Sequence, residues 1–204
     1  MSARYPRCAL AVALVATLAA CNPVLNWREV PLEGIVALLP CKPDHAQRTV
    51  QLGSPSGVAQ TVTLQVSGCE AAGALYAISH VRVADLAQVP SAQAAWRQAA
   101  LAALQAGGVQ AQPLQLAKPV PGQAHSAAAA RAETSGASVD TATDRVTNTA
   151  FMLEKLDGKR PDGTAVQAQL AWLAKGQDIY QVAVYANKLD AEMTELLFSE
   201  LRLP

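Results

Sequence analysis

Apolar and polar residues alternate most cleanly over residues 61–67, where Val62, Leu64 and Val66 fall on one side and Thr61, Thr63, Gln65 and Ser67 on the other. A period of two marks a half-buried strand, so this segment is predicted to lie in an antiparallel sheet. A turn is expected over 68–73, and the pattern resumes at 74–83. There Leu75, Ala77, Ser79, Val81 and Val83 share one face, and Tyr76, Ile78, His80 and Arg82 share the other. Further along, segments 146–156, 165–174 and 179–186 are separated by Pro161-Asp162-Gly163 and by Lys175-Gly176-Gln177-Asp178. These turn signals between alternating runs predict a three-strand meander. Its inward residues are Val166, Ala168, Leu170 and Trp172 on the second strand, against Gln167 and Gln169, with Tyr180, Val182 and Val184 on one face of the third. Shorter runs at 34–39 and 48–52 predict two more strands, the first stopped by Pro40 and Pro43 and the second by the turn cluster at 53–57.

The period changes to that of a helix over 91–106, where Trp96, Ala100, Ala103 and Leu104 form a stripe. Ser91 is placed to cap its first turn, and Gly107 and Gly108 to stop it. Alanine in that stripe should let helix and sheet approach closely. A closing helix over 191–198, capped by Asp190, is expected to dock Met193, Leu196 and Leu197, with Leu201 and Leu203 completing the core. The stretch 107–143 holds Pro113, Pro119, Pro121 and a run of alanines at 127–130. It can bury little and predicts a flexible insertion. The expected fold class is therefore α+β: two layers, an antiparallel sheet with the long helix and the C-terminal helix packed on one face.

The N-terminus follows a different pattern. Arg4 and Arg7 precede an apolar run at 9–18, too short to span a bilayer, which needs about 20 apolar residues. The run ends in Leu18-Ala19-Ala20-Cys21, which resembles the lipobox of bacterial lipoproteins. That resemblance implies a signal peptide at 1–20 and lipid attachment at Cys21, with acyl chains such as palmitate holding the mature protein in the membrane. Asn22 is not the aspartate that retains such proteins in the inner membrane, so the implied location is the cell envelope, at the outer membrane and facing the periplasm. Residues 21–31 read as a tether, with 32–204 as a single domain.

Composition adds two constraints. The full chain has 16 basic and 16 acidic residues; loss of Arg4 and Arg7 with the leader leaves 14 against 16, which argues against a nucleic-acid or polybasic lipid-binding surface. Of four cysteines, Cys8 leaves with the leader and Cys21 is taken by lipid. Cys41 and Cys69 remain and are expected to form a disulfide in an oxidising compartment.

Candidate chemistry is sparse. No Walker loop, GxGxxG, HExxH, EF-hand loop or catalytic-triad signature is present, so no cofactor and no metal ligand is assigned, and catalysis is not expected. The polar strand face of Tyr76, His80 and Arg82 is the candidate ligand-binding surface, lying under the 107–143 loop. The order of elements, with Leu38-Leu39-Pro40-Cys41-Lys42-Pro43 after the first strand and Ile179-Tyr180-Gln181-Val182-Ala183-Val184 before the last helix, is similar to that of small proteobacterial lipoproteins and of the PsbP-like fold. No residue matches the motifs by which PsbP-like proteins hold their ligands, so the resemblance implies fold alone. The expected function is an interaction or structural module anchored by lipid beside an envelope protein partner. The alternative is a small-ligand-binding lipoprotein, and the third reading is a hydrolase with an unrecognised site.

Overall fold

A computed structural model describes residues 25–53, 59–116 and 151–203. The lipobox, all but Gly53 of the turn cluster at 53–57, and most of the 107–143 stretch lie outside them. The chain forms a hairpin of β1 (Arg28–Leu32) and β2 (Ile35–Leu39), then β3 (Asp44–Leu52), β4 (Gln60–Ala71) and β5 (Ala74–Arg82). Helix α1 (Val89–Ala103) leads into β6 (Gly107–Pro113), β7 (Met152–Lys159), β8 (Ala165–Lys175), β9 (Asp178–Ala186) and α2 (Ala191–Ser199). Strands β3 to β9 make one antiparallel sheet in the order β3-β4-β5-β9-β8-β7-β6. The last strand thus sits at the centre, between β5 and β8.

The fold is α+β, but its layering differs from the expectation. Residues of β9 alternate between two cores: Tyr180, Val182 and Val184 pack with the hairpin and Leu197 and Phe198 of α2, whereas Ile179 and Ala183 pack towards α1. The two helices therefore cover opposite faces, giving three layers instead of two. Strands β8 and β9 are buried on both sides along most of their length. Their glutamines made one face look wet, yet Gln169 and Gln181 are buried with it.

The cover on the α2 side comes from residues assigned to the tether. Arg28–Leu32 is a paired strand, and Trp27 meets Tyr76 edge to face with ring centroids 6.1 Å apart. Val30, Ile35, Ala37 and Leu39 join that core. The hairpin turns tightly through Glu33 (φ 46°) and Gly34 (φ 92°), the left-handed pair that a two-residue hairpin turn requires. Ala72 and Gly73 do the same between β4 and β5, so the strand runs through Cys69 to Ala71 where a longer turn was expected. Val36 exchanges two backbone hydrogen bonds with Arg202, at 2.9 and 3.0 Å, which ties the chain's end to the hairpin. Cys41, just after β2, is bonded to Cys69 on β4, with the Cα atoms 6.0 Å apart.

The remaining differences are local. Helix α1 starts at Val89 with Pro90 in its first turn, and Ser91, expected as the cap, instead donates to the Gln88 carbonyl at 2.9 Å. The Asp190 cap is as expected: its carboxylate accepts from Met193 N at 3.0 Å. The buried stripe of α2 is Thr194, Leu197 and Phe198, continued by Leu201, while Leu196 faces solvent. The first part of the expected insertion is strand β6, bonded along β7 at the sheet's edge. All its residues are exposed, so side-chain pattern could not reveal it.

Candidate functional site

The three residues of the expected ligand face do not form one surface. Tyr76 is fully buried beneath the hairpin, and its hydroxyl has no hydrogen-bond partner. Burial first, then the nearby charges of Asp190 and Glu192, push its phenol up to about 12. His80 is buried as well and Arg82 is exposed. These two converge on Asp178 at the start of β9. His80 Nε2 lies 2.9 Å from Asp178 Oδ1, and Arg82 Nη1 donates to both carboxylate oxygens at 3.0 and 3.2 Å. The His80 ring packs against Tyr180 at 5.1 Å, and Tyr180 donates its hydroxyl proton to the Glu33 carbonyl at 2.5 Å. The cluster links strand to strand and strand to hairpin turn, while the buried Nδ1 of His80 has no hydrogen-bond partner among the described residues.

The opposite face has an opening. Helix α1 crosses the sheet diagonally. Its first turns, through Val89 and Ala92, cover Val62, Leu64, Val81 and Val83 near the β4 and β5 side. Its last turns, through Leu101 and Leu104, cover Leu156 and Ala168 on β7 and β8. Three contacts fix this path. Trp96 meets Trp172 edge to face at 5.6 Å. Glu154, fully buried on β7, accepts from Arg97 Nε at 2.7 Å and again from Arg97 Nη2, and its other oxygen accepts from Trp172 Nε1 at 3.0 Å. At the helix end, Lys159 N donates to the Leu104 carbonyl at 2.6 Å. A Cβ on neighbouring Gly158 would lie 2.5 Å from that same oxygen, so only glycine admits the approach.

A helix pinned towards β7 leaves the corner by the β4–β5 turn uncovered, and there a cavity of about 650 Å³ opens. Ala100, Ala103 and Leu104 form its helix wall; Leu75, Val166 and Tyr185 form its sheet wall. The alanines expected to bring helix and sheet together are too small to fill this wedge. Gln181, 7% exposed, lines the cavity, and its amide nitrogen has no hydrogen-bond partner. An unpartnered buried donor costs about 1–3 kcal/mol. Glu70 and Arg160 also line it. Arg160 is steadied by Asn187 Oδ1 at 2.8 Å and the Ala165 carbonyl at 3.1 Å. The Tyr185 phenol is pushed up to about 12 by burial and stays neutral.

Sequence reasoning missed Gln181, Tyr185, Glu154 and Gly158. A glutamine inside the apolar run Ile179–Val184 was the one available signal. Among the described residues no cluster of three or more His, Cys, Asp or Glu is placed to hold a metal ion. No helix among them is long and apolar enough to cross a membrane.

The fold and cavity thus define an α+β domain with one sealed and one open sheet face. No family model matches the chain, and no curated protein or solved structure matches it.

Proposed function

We propose that this chain is a lipid-anchored cell-envelope protein whose domain is an interaction module, working by binding at the membrane surface. The cavity beside α1 carries the reading: its volume falls within the range of about 300–1,000 Å³ typical of ligand sites, and it is largely apolar. The address rests on the lipobox ending at Cys21 and is supported by the Cys41–Cys69 bridge, which suits an oxidising compartment. The PsbP-like resemblance is supported by element order alone.

Anchoring at Cys21 sets a short leash in this reading. Asn26 N is already bonded to the Pro40 carbonyl at 2.7 Å, so five residues of chain, spanning at most about 17 Å, separate the lipid from the fold. A partner would then be held next to the bilayer. The small-ligand alternative moves from Tyr76, His80 and Arg82 to the cavity, because the first two are buried.

The test compares the wild-type chain with Cys21→Ala in solubilised envelopes. Wild-type protein should begin at Cys21, carry fatty acid and sediment with membranes, while the variant should be released with its disulfide intact. A partner protein or small molecule should be recovered with the wild type. A native protein free of fatty acid, or starting at another residue, would overturn the anchoring; recovery of no companion would overturn the binding role.

A further inference from the structure

We infer that a second cavity, at the margin of the hairpin side, takes a small neutral molecule rich in hydroxyl groups, of the kind a single sugar ring presents. The inference goes beyond the binding reading and does not use the α1 cavity. Along β7 and β8, Leu153 faces Ala171 in register, and both belong to the sealed core. Further along, Lys155 faces Gln169 and Asp157 faces Gln167, so the same sheet face turns polar. There the first turn of α2 borders the two strands and leaves a space of about 350 Å³, within the range of about 300–1,000 Å³ typical of ligand sites. Gln110 on β6 and Thr194 on α2 complete the polar lining, and no aromatic ring lies among the lining residues.

Gln169 is the most buried of the polar residues here. It is 5% exposed, lines the cavity, and makes no side-chain hydrogen bond with any described residue. The amide nitrogen of Gln181 is sealed from solvent, whereas neither polar atom of Gln169 is closed off in that way. Neighbouring Gln167 shows the contrast, since it donates to Asp157 Oδ1 at 3.0 Å and accepts from Leu189 N at 2.9 Å. A carboxamide both donates and accepts, so the group that completes Gln169 must do the same, as a hydroxyl does. An apolar molecule would bury that amide without a partner. Asp157 and Asp190 each spend one carboxylate oxygen, on Gln167 and on Met193 N, and their second oxygens bond to no described residue. Those oxygens suit further hydroxyl donors. Ions of either sign meet a like charge: the two carboxylates oppose an anion, and Lys155, paired in register with Gln169, opposes a cation. A neutral, hydroxyl-bearing molecule meets neither penalty.

The test is an NMR titration of the full chain carrying Cys21→Ala, so that no lipid interferes. The probes are four neutral sugars: glucose, galactose, ribose and N-acetylglucosamine. At least one should shift the Gln169 side-chain amide and the backbone amides of Gly108 and Ala191 saturably, leaving those of Leu75 and Ala103 at the α1 cavity unmoved. Tetrahydropyran, a ring without hydroxyls, should produce no such shifts. Glucosamine and glucose 6-phosphate, which add a charge of either sign, should bind more weakly than glucose. Gln169→Leu should weaken the binding of the sugar about tenfold, read at Gly108 and Ala191. Each protein must keep the Cys41–Cys69 bridge and native circular dichroism, and Gln169→Met serves if the leucine variant does not fold. Saturable shifts with none of the four sugars, undiminished affinity in Gln169→Leu, or tighter binding of either charged sugar would each overturn the inference. Companion recovery with the wild-type protein in envelopes would still stand in that event, so the two proposals fail separately.

Discussion

The two faces of the central sheet are built on opposite terms. On the hairpin side, large apolar side chains from β5, β8, β9, the hairpin and α2 fill one continuous core, closed by a disulfide and by the pairing of Val36 with Arg202. On the α1 side a single helix must cover a wide sheet. It does so along one diagonal, with a tryptophan pair and a buried ion pair fixing its middle and Gly158 fixing its end. The difference shows how an alanine-rich helix creates a cavity: bulky groups hold it at chosen points, and its small residues leave space where nothing holds it.

Breaking the anchors should rank the two faces. Trp172→Ala should have the largest effect, about 4 kcal/mol, because it empties a large core volume and removes a donor from fully buried Glu154. Denaturant unfolding checks it, and a loss under 1 kcal/mol would show that α1 does not depend on this contact. Next, replacing Cys41 and Cys69 by serine should cost about 3.6 kcal/mol in the chain-entropy model for a bridge spanning 28 residues. Proteolysis should then cut first in the hairpin, leaving the α1 face protected. Gly158→Ala should cost about 2 kcal/mol by pushing the Leu104 carbonyl away. Hydrogen exchange should rise at the C-terminal end of α1 with β1 and β2 unchanged.

The smallest effects separate two buried phenols on the sealed face. Tyr180→Phe loses the bond to the Glu33 carbonyl and should cost about 1 kcal/mol, whereas Tyr76→Phe removes a hydroxyl without a partner and should be neutral or stabilising. Both phenols, with Tyr185, are raised from 10.0 to about 12, chiefly by burial. Above pH 10 the unfolded chain loses these protons while the folded one keeps them. Stability is thus unaffected by these groups below pH 10 and falls as pH rises from 10 to about 12. Absorbance at alkaline pH should show phenol ionisation delayed until unfolding, and each Tyr→Phe variant should flatten the fall. A normal phenol titration in the folded protein would contradict their burial.

Local pattern was enough to place the strands around Thr61–Ser67, the hairpin of β8 and β9 and the Asp190-capped helix, and a count of thiols to pair Cys41 with Cys69. Each depends on neighbours in sequence: alternation, a turn dipeptide, a capping carboxylate, or a count of thiols. Strand β6 escaped because its order comes from backbone bonds to β7, which leave no mark on side-chain pattern. Strand β1 escaped, although the apolar run at 34–39 marked β2, because its burial comes from Tyr76, Leu197 and other residues far along the chain.

Periodicity dictates which side chains share a face but not what covers that face. Burial of β5 and β9 on both sides, the cover over Tyr76, and the open corner beside Gln181 were decided by the path of α1 and the return of the N-terminal strands. Those are contacts between residues tens of positions apart, chosen by packing volume and by where buried polar groups such as Glu154 find their partners.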